Sequence, residues 1–507
     1  MGYEPRQSSY KYLLKNERLL SVSAVEDILL ARSPSDLYEL WRLDEAKGPS
    51  HIGERPVLAA LPLKEHRGDR GFQLYEAVFG RDSLRVALDL IDSYPDLTRN
   101  TLLTLARYQG VKFDVNSEEE PGRIAHEIRN PATDEIARAL IRERHWGWPY
   151  YGAVDTTPEF VRVLCKYCRK SGEGRKFLDT EFVDQNNTKR TMLEALEAAL
   201  DWMKARMSQN PEGLVEFKKT NPLGLDNQVW RDSWDSYFHD NGEIANHDSG
   251  IASVDVQRLT YDALLDAAEL YKKYLGDFNV ADNLHKLALN LKTQIMEVFW
   301  CEEQGGYFVI GTDRGPDAQL RPLRIKTSDM GHLLHSRLLK GKAEGLVKRR
   351  EAVVRQLFSE KMFGLNGIRS LASDEARYRP GAYHNGSVWI WDNYLIVQGL
   401  AVHGYNKLAS FLADRLLDDV EVTKRFPEYL RGDNSKEHRL NTAKIVVYDE
   451  KMDRENVVEQ PPQDIQAWSV AAILGIKQHR QETRRSGISA TRGSDFEKSI
   501  LAKVHFD

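Results

Sequence analysis

Apolar residues recur at intervals of three and four along most of the chain, the spacing of helices that each bury one face. This pattern predicts about twelve helices. They span 81–93, 97–109, 134–145, 157–170, 190–208, 252–275, 279–299, 328–339, 345–358, 388–403, 406–422 and 464–478. Start signals support the pattern, since Asp82 and Ser83 precede the first apolar stripe and Pro158 follows two threonines that can cap a helix. The chain is therefore predicted to be all-α.

The connections between these helices alternate in length. A few residues (SYPD and HGYN) join 81–93 to 97–109 and 388–403 to 406–422, whereas long segments follow residues 109, 145, 208, 299, 358 and 422. Short links make antiparallel neighbours, and long loops in a compact domain usually carry function. We therefore expect an (α/α)6 barrel, a double ring of six inner and six outer helices with the long loops on one face. An α-solenoid would share the periodicity, but the chain shows no residue-level repeat of the required period.

Three regions follow from this pattern. Residues 1–70 are expected to form an entry segment packed on the barrel, 71–480 the barrel itself, and 481–507 a polar C-terminal tail. The stretch FWCEEQGGYFVIGT alternates like a strand around Gly305 and Gly306, which predicts a small β-hairpin decorating the barrel.

Composition narrows the choice of partners and compartment. The 507 residues carry a net charge of -5 with both signs mixed, so neither nucleic acid nor an anionic membrane is an expected partner. The three cysteines suit a reducing compartment, and Cys165 and Cys168 lie in an apolar helical pattern without a second ligand pair, so no metal is expected. The N-terminus lacks the apolar segment of a signal peptide, and no apolar run approaches the length of a membrane span, which predicts a cytoplasmic protein. No cofactor is expected, and the oligomeric state stays open.

Carboxylates, amides and aromatic residues concentrate in the long loops, and this mixture suits sugar recognition. Carboxylates and amides bind hydroxyl groups, and aromatic faces pack on the C–H face of a pyranose. Cleaving a glycosidic bond needs one carboxylic acid to protonate the leaving oxygen and a second carboxylate to act on water or on the sugar. Each residue also has a structural interpretation: a loop Asp is usually a cap or turn residue, and His384 could be a structural histidine. Residue type alone does not rank Asp232 above Asp235.

Seven stretches carry a resemblance, and they cover most of residues 75–478. They are FGRDSL (79–84), EEPGRIAHEIR (119–129), YYGAVDTTPEF (150–160), NQVWRDSWDS (227–236), AYHNGSVWIWDN (382–393), FPEYLRG (426–432) and QAWSVAAIL (466–474). The chain resembles the amylo-α-1,6-glucosidase domain of glycogen-debranching-type proteins and the wider clan of (α/α)6 glycoside hydrolases, which includes glucosylglycerate and mannosylglycerate hydrolases. No stretch resembles the separate transferase domain of the long debranching enzymes.

The resemblance implies a role for each matching residue. The Asp of the family's W-x-D-S motif is its general acid, here Asp232, and the Glu of its P-E motif is its general base, here Glu428. The helix count places these two residues between helices five and six and between helices eleven and twelve. The implied substrate contacts are Arg81, Asp82, Glu127, Tyr151, Asp155, Trp230, His384, Asn385 and Trp389.

The implied activity is that of an inverting hydrolase that releases one sugar, expected to be glucose, from an α-glycoside. Asp232 should then have its pKa raised by burial among Trp230 and Trp234, with Arg231 directed elsewhere, while Glu428 stays ionised. Inversion requires the two carboxyl groups to lie roughly 6.5–9.5 Å apart. A small α-glycoside such as glucosylglycerate, mannosylglycerate or trehalose is an equal alternative substrate, and a non-catalytic sugar-binding barrel is a further one. Phosphorolysis is disfavoured by Glu428.

Overall fold

Helices make up most of the regular secondary structure in the described part of the chain. The computed structural model describes residues 58–61, 74–423, 425–434, 443–449, 454–460, 462–485 and 494–504. These residues form fourteen α-helices: α1 Gly80–Leu90, α2 Pro95–Arg107, α3 Glu135–Arg144, α4 Thr156–Lys170, α5 Arg175–Leu178, α6 Met192–Met207, α7 Val254–Leu270, α8 Phe278–Val298, α9 Asp329–His335, α10 Glu344–Leu357, α11 Ile390–Val402, α12 Asn406–Thr423, α13 Ala467–Arg485 and α14 Asp495–Leu501. The predicted entry segment, residues 1–70, lies outside the described residues apart from 58–61.

Six of these helices close into an inner ring. Helix α1 packs against α4, α4 against α7, α7 against α9, α9 against α11, α11 against α13, and α13 returns to α1. Helices α2, α6, α8, α10 and α12 pack outside them, and α14 packs on α12. This is the double ring of an (α/α)6 barrel, as the alternating connections predicted.

The inner helix α7 buries most of its residues, and the outer helix α8 buries one apolar stripe. Helix α7 buries fifteen of its seventeen residues, because it has the ring's centre on one side and outer helices on the other. Helix α8 buries five of twenty-one, at 281, 284, 288, 291 and 295, the single apolar stripe of a helix with one side in solvent.

Local signals fix the starts of several helices. Thr191 and Glu194 form a capping box at α6, and Pro95 occupies the first position of α2.

One predicted ring helix lies elsewhere. Helix α3 buries only Ala137 and belongs to the long connection between α2 and α4, and α14, which begins with a capping box of Ser494 and Glu497, packs on the outer helix α12. Counted over the ring helices alone, each of the two candidate residues therefore lies one helix earlier than in the predicted count of twelve. Asp232 lies between the fourth and fifth ring helices, and Glu428 between the tenth and eleventh. The reason is that α3 has the periodicity of a helix, but periodicity does not reveal what the apolar stripe packs against.

Strands are short and mostly join neighbouring loops. They are β1 Ala60–Leu61, β2 Val78–Phe79, β3 Glu127–Ile128, β4 Glu181–Val183, β5 Lys189–Thr191, β6 Ala252–Ser253, β7 Trp300–Cys301, β8 Tyr307–Phe308, β9 Gly311–Arg314, β10 Leu320–Leu323, β11 Phe363–Gly364, β12 Gly367–Ile368, β13 Ala443–Asp449, β14 Arg454–Gln460 and β15 Ile465–Gln466. Strands β7 and β8 form the predicted hairpin, with Trp300 opposite Phe308. Among the helices of the described residues, none combines the length and apolar composition that crossing a membrane requires.

Candidate active site

The six inner helices begin at the same end of the ring, and short β pairs tie their starting points together. Strand β2, which leads into α1, pairs with β3, and Glu127 of β3 also bridges to Tyr150 just before α4. At the starts of α11 and α13, Val388 bridges to Leu430, and Phe426 bridges to Ile465. The long loops that the sequence marked as candidates for chemistry therefore meet at this end of the barrel.

Arg81 joins two of the predicted site residues. It lies in the first turn of α1, and its guanidinium donates to both carboxylate oxygens of Asp155, from Nε at 2.7 Å and from Nη2 at 3.2 Å. Its third nitrogen, Nη1, lies 3.8 Å from Oδ2 of Asp232. Asp155 immediately precedes α4, and Asp232 lies in the loop before α7, so one arginine connects three neighbouring sectors of the ring.

Asp232 is the most open of the candidate carboxyl groups, with 27% of its side chain exposed. Removal from bulk water raises its pKa to about 7. The charge of Arg81 lowers the pKa, and the charges of Asp155 and Glu127 raise it. The direction agrees with the sequence-based expectation. Arg231 is directed away, as expected, because its guanidinium donates to the carbonyl oxygens of Ser370 at 2.8 Å and of His384 at 2.7 Å.

Glu428 is buried, and both of its carboxylate oxygens have partners. The Tyr383 hydroxyl donates to Oε1, and the Gln463 backbone N–H donates to Oε2 at 3.2 Å. Burial raises the pKa of Glu428 to about 8. The two hydrogen bonds lower the pKa, while the charges of Asp82 and Asp232 raise it. This differs from the expectation that Glu428 stays ionised, because burial and two neighbouring carboxylates outweigh the two donors.

A third carboxyl group belongs to the same cluster. Asp82, in the first turn of α1, accepts a hydrogen bond from Nε2 of Gln466 at 3.0 Å. Burial raises the pKa of Asp82 to about 7; the charge of Arg81 lowers it and that of Asp232 raises it. Since the charge of Asp232 raises the pKa of both Asp82 and Glu428, the three carboxyl groups share one small region of low polarity.

His384 and Asn385 support the loop of Asp232. The Ser233 N–H donates to Nδ1 of His384 at 3.2 Å, with the Ser233 hydroxyl 2.7 Å from the same nitrogen, and Nδ2 of Asn385 donates to the Asp235 carbonyl at 2.9 Å. Burial lowers the pKa of His384 well below its usual value, so the ring is neutral. Both side chains are buried, and their hydrogen bonds hold residues 233–235 in place.

The predicted aromatic contacts form a buried layer. Trp230 and Trp389 are 3% and 1% exposed. The Trp230 ring lies edge-on to Trp391 with centroids 5.1 Å apart, and Trp389 stacks on His384 at 5.3 Å. These rings pack with each other and support the loops of the site from within.

Two more predicted residues are also bonded to protein partners. Glu127 is buried and accepts from Arg129, although its charge contributes to the raised pKa of Asp232. The Tyr151 hydroxyl donates to the carbonyl of Tyr108 at 2.8 Å and accepts from Gln185 at 3.1 Å. The described contacts of Tyr151 therefore lead to the end of α2 and not to the carboxyl cluster.

Sequence reasoning missed three direct partners of the carboxyl cluster. They are Tyr383, Gln463 and Gln466. Tyr383 stands next to His384 inside a stretch that carries the resemblance, so a hydroxyl there could have been weighed as a partner for a carboxylate. Gln466 likewise opens a stretch that carries the resemblance, whereas Gln463 has no local signal that separates it from a surface glutamine.

Comparisons with known proteins agree with this fold. Residues 178–443, which include Asp232 and Glu428, match the family described as the mannosylglycerate hydrolase MGH1-like glycoside hydrolase domain. The chain is similar in fold to the GH63 mannosylglycerate hydrolase from Thermus thermophilus in complex with Tris, at 15% identity and a TM-score of 0.55, over 87% of this chain and 99% of that chain.

The same hydrolase in complex with glucose gives 16% identity and a TM-score of 0.54, over 83% of this chain and 95% of that chain. An uncharacterized conserved protein from Thermus thermophilus gives 16% identity and a TM-score of 0.53 over the same shares. Comparison with curated proteins gives no match. Because the family match covers more than half of the chain, this protein belongs to the MGH1-like glycoside hydrolases and is a glycosidase.

Proposed function

We propose that the protein is an inverting hydrolase that releases one sugar from a small α-glycoside of the mannosylglycerate or glucosylglycerate kind. One observation carries the proposal: two carboxyl groups on different loops of the same ring end, Asp232 and Glu428, both have a pKa raised to neutrality or above. One is partly open beside Arg81, and the other is buried and held by two donors. Such a pair can supply the acid and the base of glycoside hydrolysis.

Asp232 is the general acid in this proposal. A carboxyl group with a pKa of about 7 is protonated in a large share of molecules at neutral pH, so it can give its proton to the glycosidic oxygen as the bond to the anomeric carbon breaks. Arg81 lies 3.8 Å from Oδ2 of Asp232, where its positive charge stabilises the carboxylate that remains.

Glu428 is the general base. It accepts a proton from a water molecule, whose oxygen forms a bond to the anomeric carbon on the face opposite the departing oxygen. An α-glycoside then yields the β-anomer of the free sugar. The Tyr383 hydroxyl and the Gln463 N–H favour the ionised form that this step needs, and they fix the orientation of the carboxylate.

Arg81, Asp82 and Asp155 are the proposed contacts of the sugar that is released. Arg81 and Asp155 form a two-pronged pair, and Asp82 is bonded on one oxygen by Gln466, which leaves acceptor capacity on the carboxylates for sugar hydroxyls. His384, Asn385, Trp230 and Trp389 act in this proposal by holding the loops, because Nδ1 of His384, Nδ2 of Asn385 and both indole N–H groups are hydrogen-bonded to protein partners.

A small glycoside is favoured over a branched α-glucan. The family match and the similar solved structures carry the name of mannosylglycerate hydrolase, and one of those structures holds Tris and D-glycerate. The amylo-α-1,6-glucosidase interpretation, with glucose released from a branched polymer, rests on the seven sequence stretches alone. Trehalose is a further small substrate to be tested.

The experiment is a time-resolved NMR assay against mannosylglycerate, glucosylglycerate, trehalose, isomaltose and α-1,6-branched dextrin. We expect one of the first two to yield a free sugar that appears as the β-anomer before mutarotation. Appearance of the α-anomer first would contradict inversion, and turnover of dextrin alone would transfer the proposal to the branched polymer. The variant Asp235→Asn is the matched control for Asp232→Asn, because Asp235 lies three residues further along the same loop and should retain far more turnover.

A further inference from the structure

The two residues immediately before Asp232 share one buried carboxylate. Nε1 of Trp230 donates to Oδ1 of Asp329 at 2.8 Å, and Nη1 of Arg231 lies 3.5 Å from Oδ2 of the same side chain. Asp329 and Arg231 are both fully buried, and the Arg231 guanidinium also lies over the Trp230 ring at 5.3 Å. One carboxylate thus holds the chain at two successive side chains, directly before the residue proposed as the general acid.

Asp329 is itself held rigidly. It occupies the first turn of α9, whose start is tied to the neighbouring segment by the hydrogen bond from Ser328 N–H to the Ser370 carbonyl and by the bridge between Thr327 and Leu371. The Ser370 carbonyl is also one of the acceptors for Arg231. Arg231, Asp329 and the 370–371 segment therefore form one buried connected unit.

The next turn of α9 adds a second anchor. His332 lies between Asp255 of α7, at 2.7 Å, and Asp392 of α11, at 2.6 Å. The Trp230 ring packs beside His332 with centroids 6.0 Å apart. Helices α7, α9 and α11 are thus connected near their starts, so a displacement of Asp329 would require several buried contacts to break.

We infer that Asp329 is a positioning residue that places the carboxyl group of Asp232 for proton transfer to the leaving oxygen. Asp232 has part of its side chain in the open site and lies beside Arg81, so its own contacts do not fix the loop. Directly before Asp232, Trp230 and Arg231 are held by buried partners, and Asp329 contacts both side chains. This inference rests on the proposed role of Asp232 as general acid.

The chemistry of the leaving group separates this role from a general contribution to folding. An alkoxide is a poor leaving group unless it receives a proton. The fluoride ion of an α-glycosyl fluoride departs without a proton. In both reactions water adds to the anomeric carbon and gives up a proton to the base. A defect in the acid therefore slows hydrolysis of the glycoside far more than that of the fluoride. A loss of folded protein lowers both rates equally, so the ratio of the two kcat/KM values reports on the acid alone.

The experiment compares Asp329→Asn with the wild type on mannosylglycerate and on α-mannosyl fluoride, or on the glucosyl pair if glucose is the sugar released. A misplaced acid is expected to lower kcat/KM for the glycoside about 10- to 100-fold, mostly through kcat, with a change of less than about 3-fold for the fluoride. Asp232→Asn is the reference and should show the same pattern with a larger loss. Asp262→Asn is the matched control, since Asp262 is a buried carboxylate paired with Arg337 further along α7.

Equal losses on both substrates in Asp329→Asn, or no loss on either, would overturn the inference. If Asp232→Asn itself shows no preference for the fluoride, the proposed function fails instead, so the two failures are distinguishable. If Asp329→Asn does not fold, Trp230→Phe removes the N–H that donates to Asp329 and keeps the ring. An unchanged ratio in that variant would equally reject the inference.

Discussion

Replacing Tyr383 by phenylalanine removes the hydroxyl that donates to Glu428 Oε1 and keeps the ring in place. After burial, this hydrogen bond is the largest influence on the pKa of Glu428, and it lowers that pKa. A hydrogen bond to a charged group contributes about 1.5 to 3 kcal/mol. Its loss should therefore raise the pKa of Glu428 by roughly 1 to 2.

The consequence for activity follows from the order of the two pKa values. The active form carries a proton on Asp232, with a pKa of about 7, and none on Glu428, with a pKa of about 8. This active form is the less populated of the two singly protonated forms. A difference of one between the two pKa values makes it about tenfold rarer than the other form. Raising the pKa of Glu428 makes it rarer still, so kcat/KM at pH 7 should fall about 10- to 100-fold.

The shape of the pH profile gives a sharper test than the rate. Activity declines at high pH when the singly protonated pair loses its last proton, and the group with the higher pKa, Glu428, sets that limit. In Tyr383→Phe the alkaline limb should therefore move to higher pH, while the acid limb stays close to that of the wild type. The assay is kcat/KM for the small glycoside between pH 5.5 and 10.5, since this parameter reports the free enzyme.

An alkaline limb that stays in place while the rate falls uniformly would refute this reasoning, because Tyr383 would then not act on the protonation of Glu428. Tyr167→Phe is the matched control. It removes a tyrosine hydroxyl that donates to a carboxylate, Glu173 Oε1 at 2.9 Å, at the C-terminal end of α4, away from the carboxyl cluster. Its pH profile should coincide with that of the wild type.

Three further predictions address catalysis and stability. Asp232→Asn and Glu428→Gln should each lower turnover at least about 100-fold with little change in melting temperature. Asp155→Ala leaves the mostly buried Arg81 without its two-pronged partner and should lower the free energy of unfolding by about 3 kcal/mol in urea titrations. Burial lowers the pKa of His332, but Asp255 and Asp392 outweigh burial and raise that pKa to about 9. Protonated His332 should therefore contribute about 3 kcal/mol to the free energy of unfolding. This contribution is complete below pH 6.5 and is lost as the pH rises through 9.

Each of these predictions has an outcome that contradicts it. Near-normal turnover of either carboxyl variant would end the assignment of acid and base. A stability of Asp155→Ala equal to that of the wild type would show that Arg81 finds another partner. For His332, the comparison is urea unfolding at pH 6 and pH 9.5 in the wild type and in His332→Gln. An equal pH dependence in both proteins would remove this histidine from the explanation.

Local sequence determined the helices and the residue types of the site. The five buried residues of α8, all apolar, follow the three-and-four spacing because a helix with one covered face needs no other information. The capping box at α6 and the proline at α2 act within one turn. The pair Asp232 and Glu428 could be proposed from short motifs, and the alternating loop lengths were enough to predict the double ring and the end at which these residues meet.

Tertiary structure decided which helices form the ring, what each side chain contacts and where the protons lie. Helices α3 and α14 carry similar local signals, but α3 belongs to the long connection between α2 and α4, whereas α14 packs on the outer helix α12. Glu428 and Gln463 are 35 positions apart, and Trp230 and Asp329 are 99 apart, so no pattern in the sequence connects them. The pKa of a carboxyl group depends on its distance from water and from other charges, and those distances exist only once the loops have been brought together at the end of the barrel.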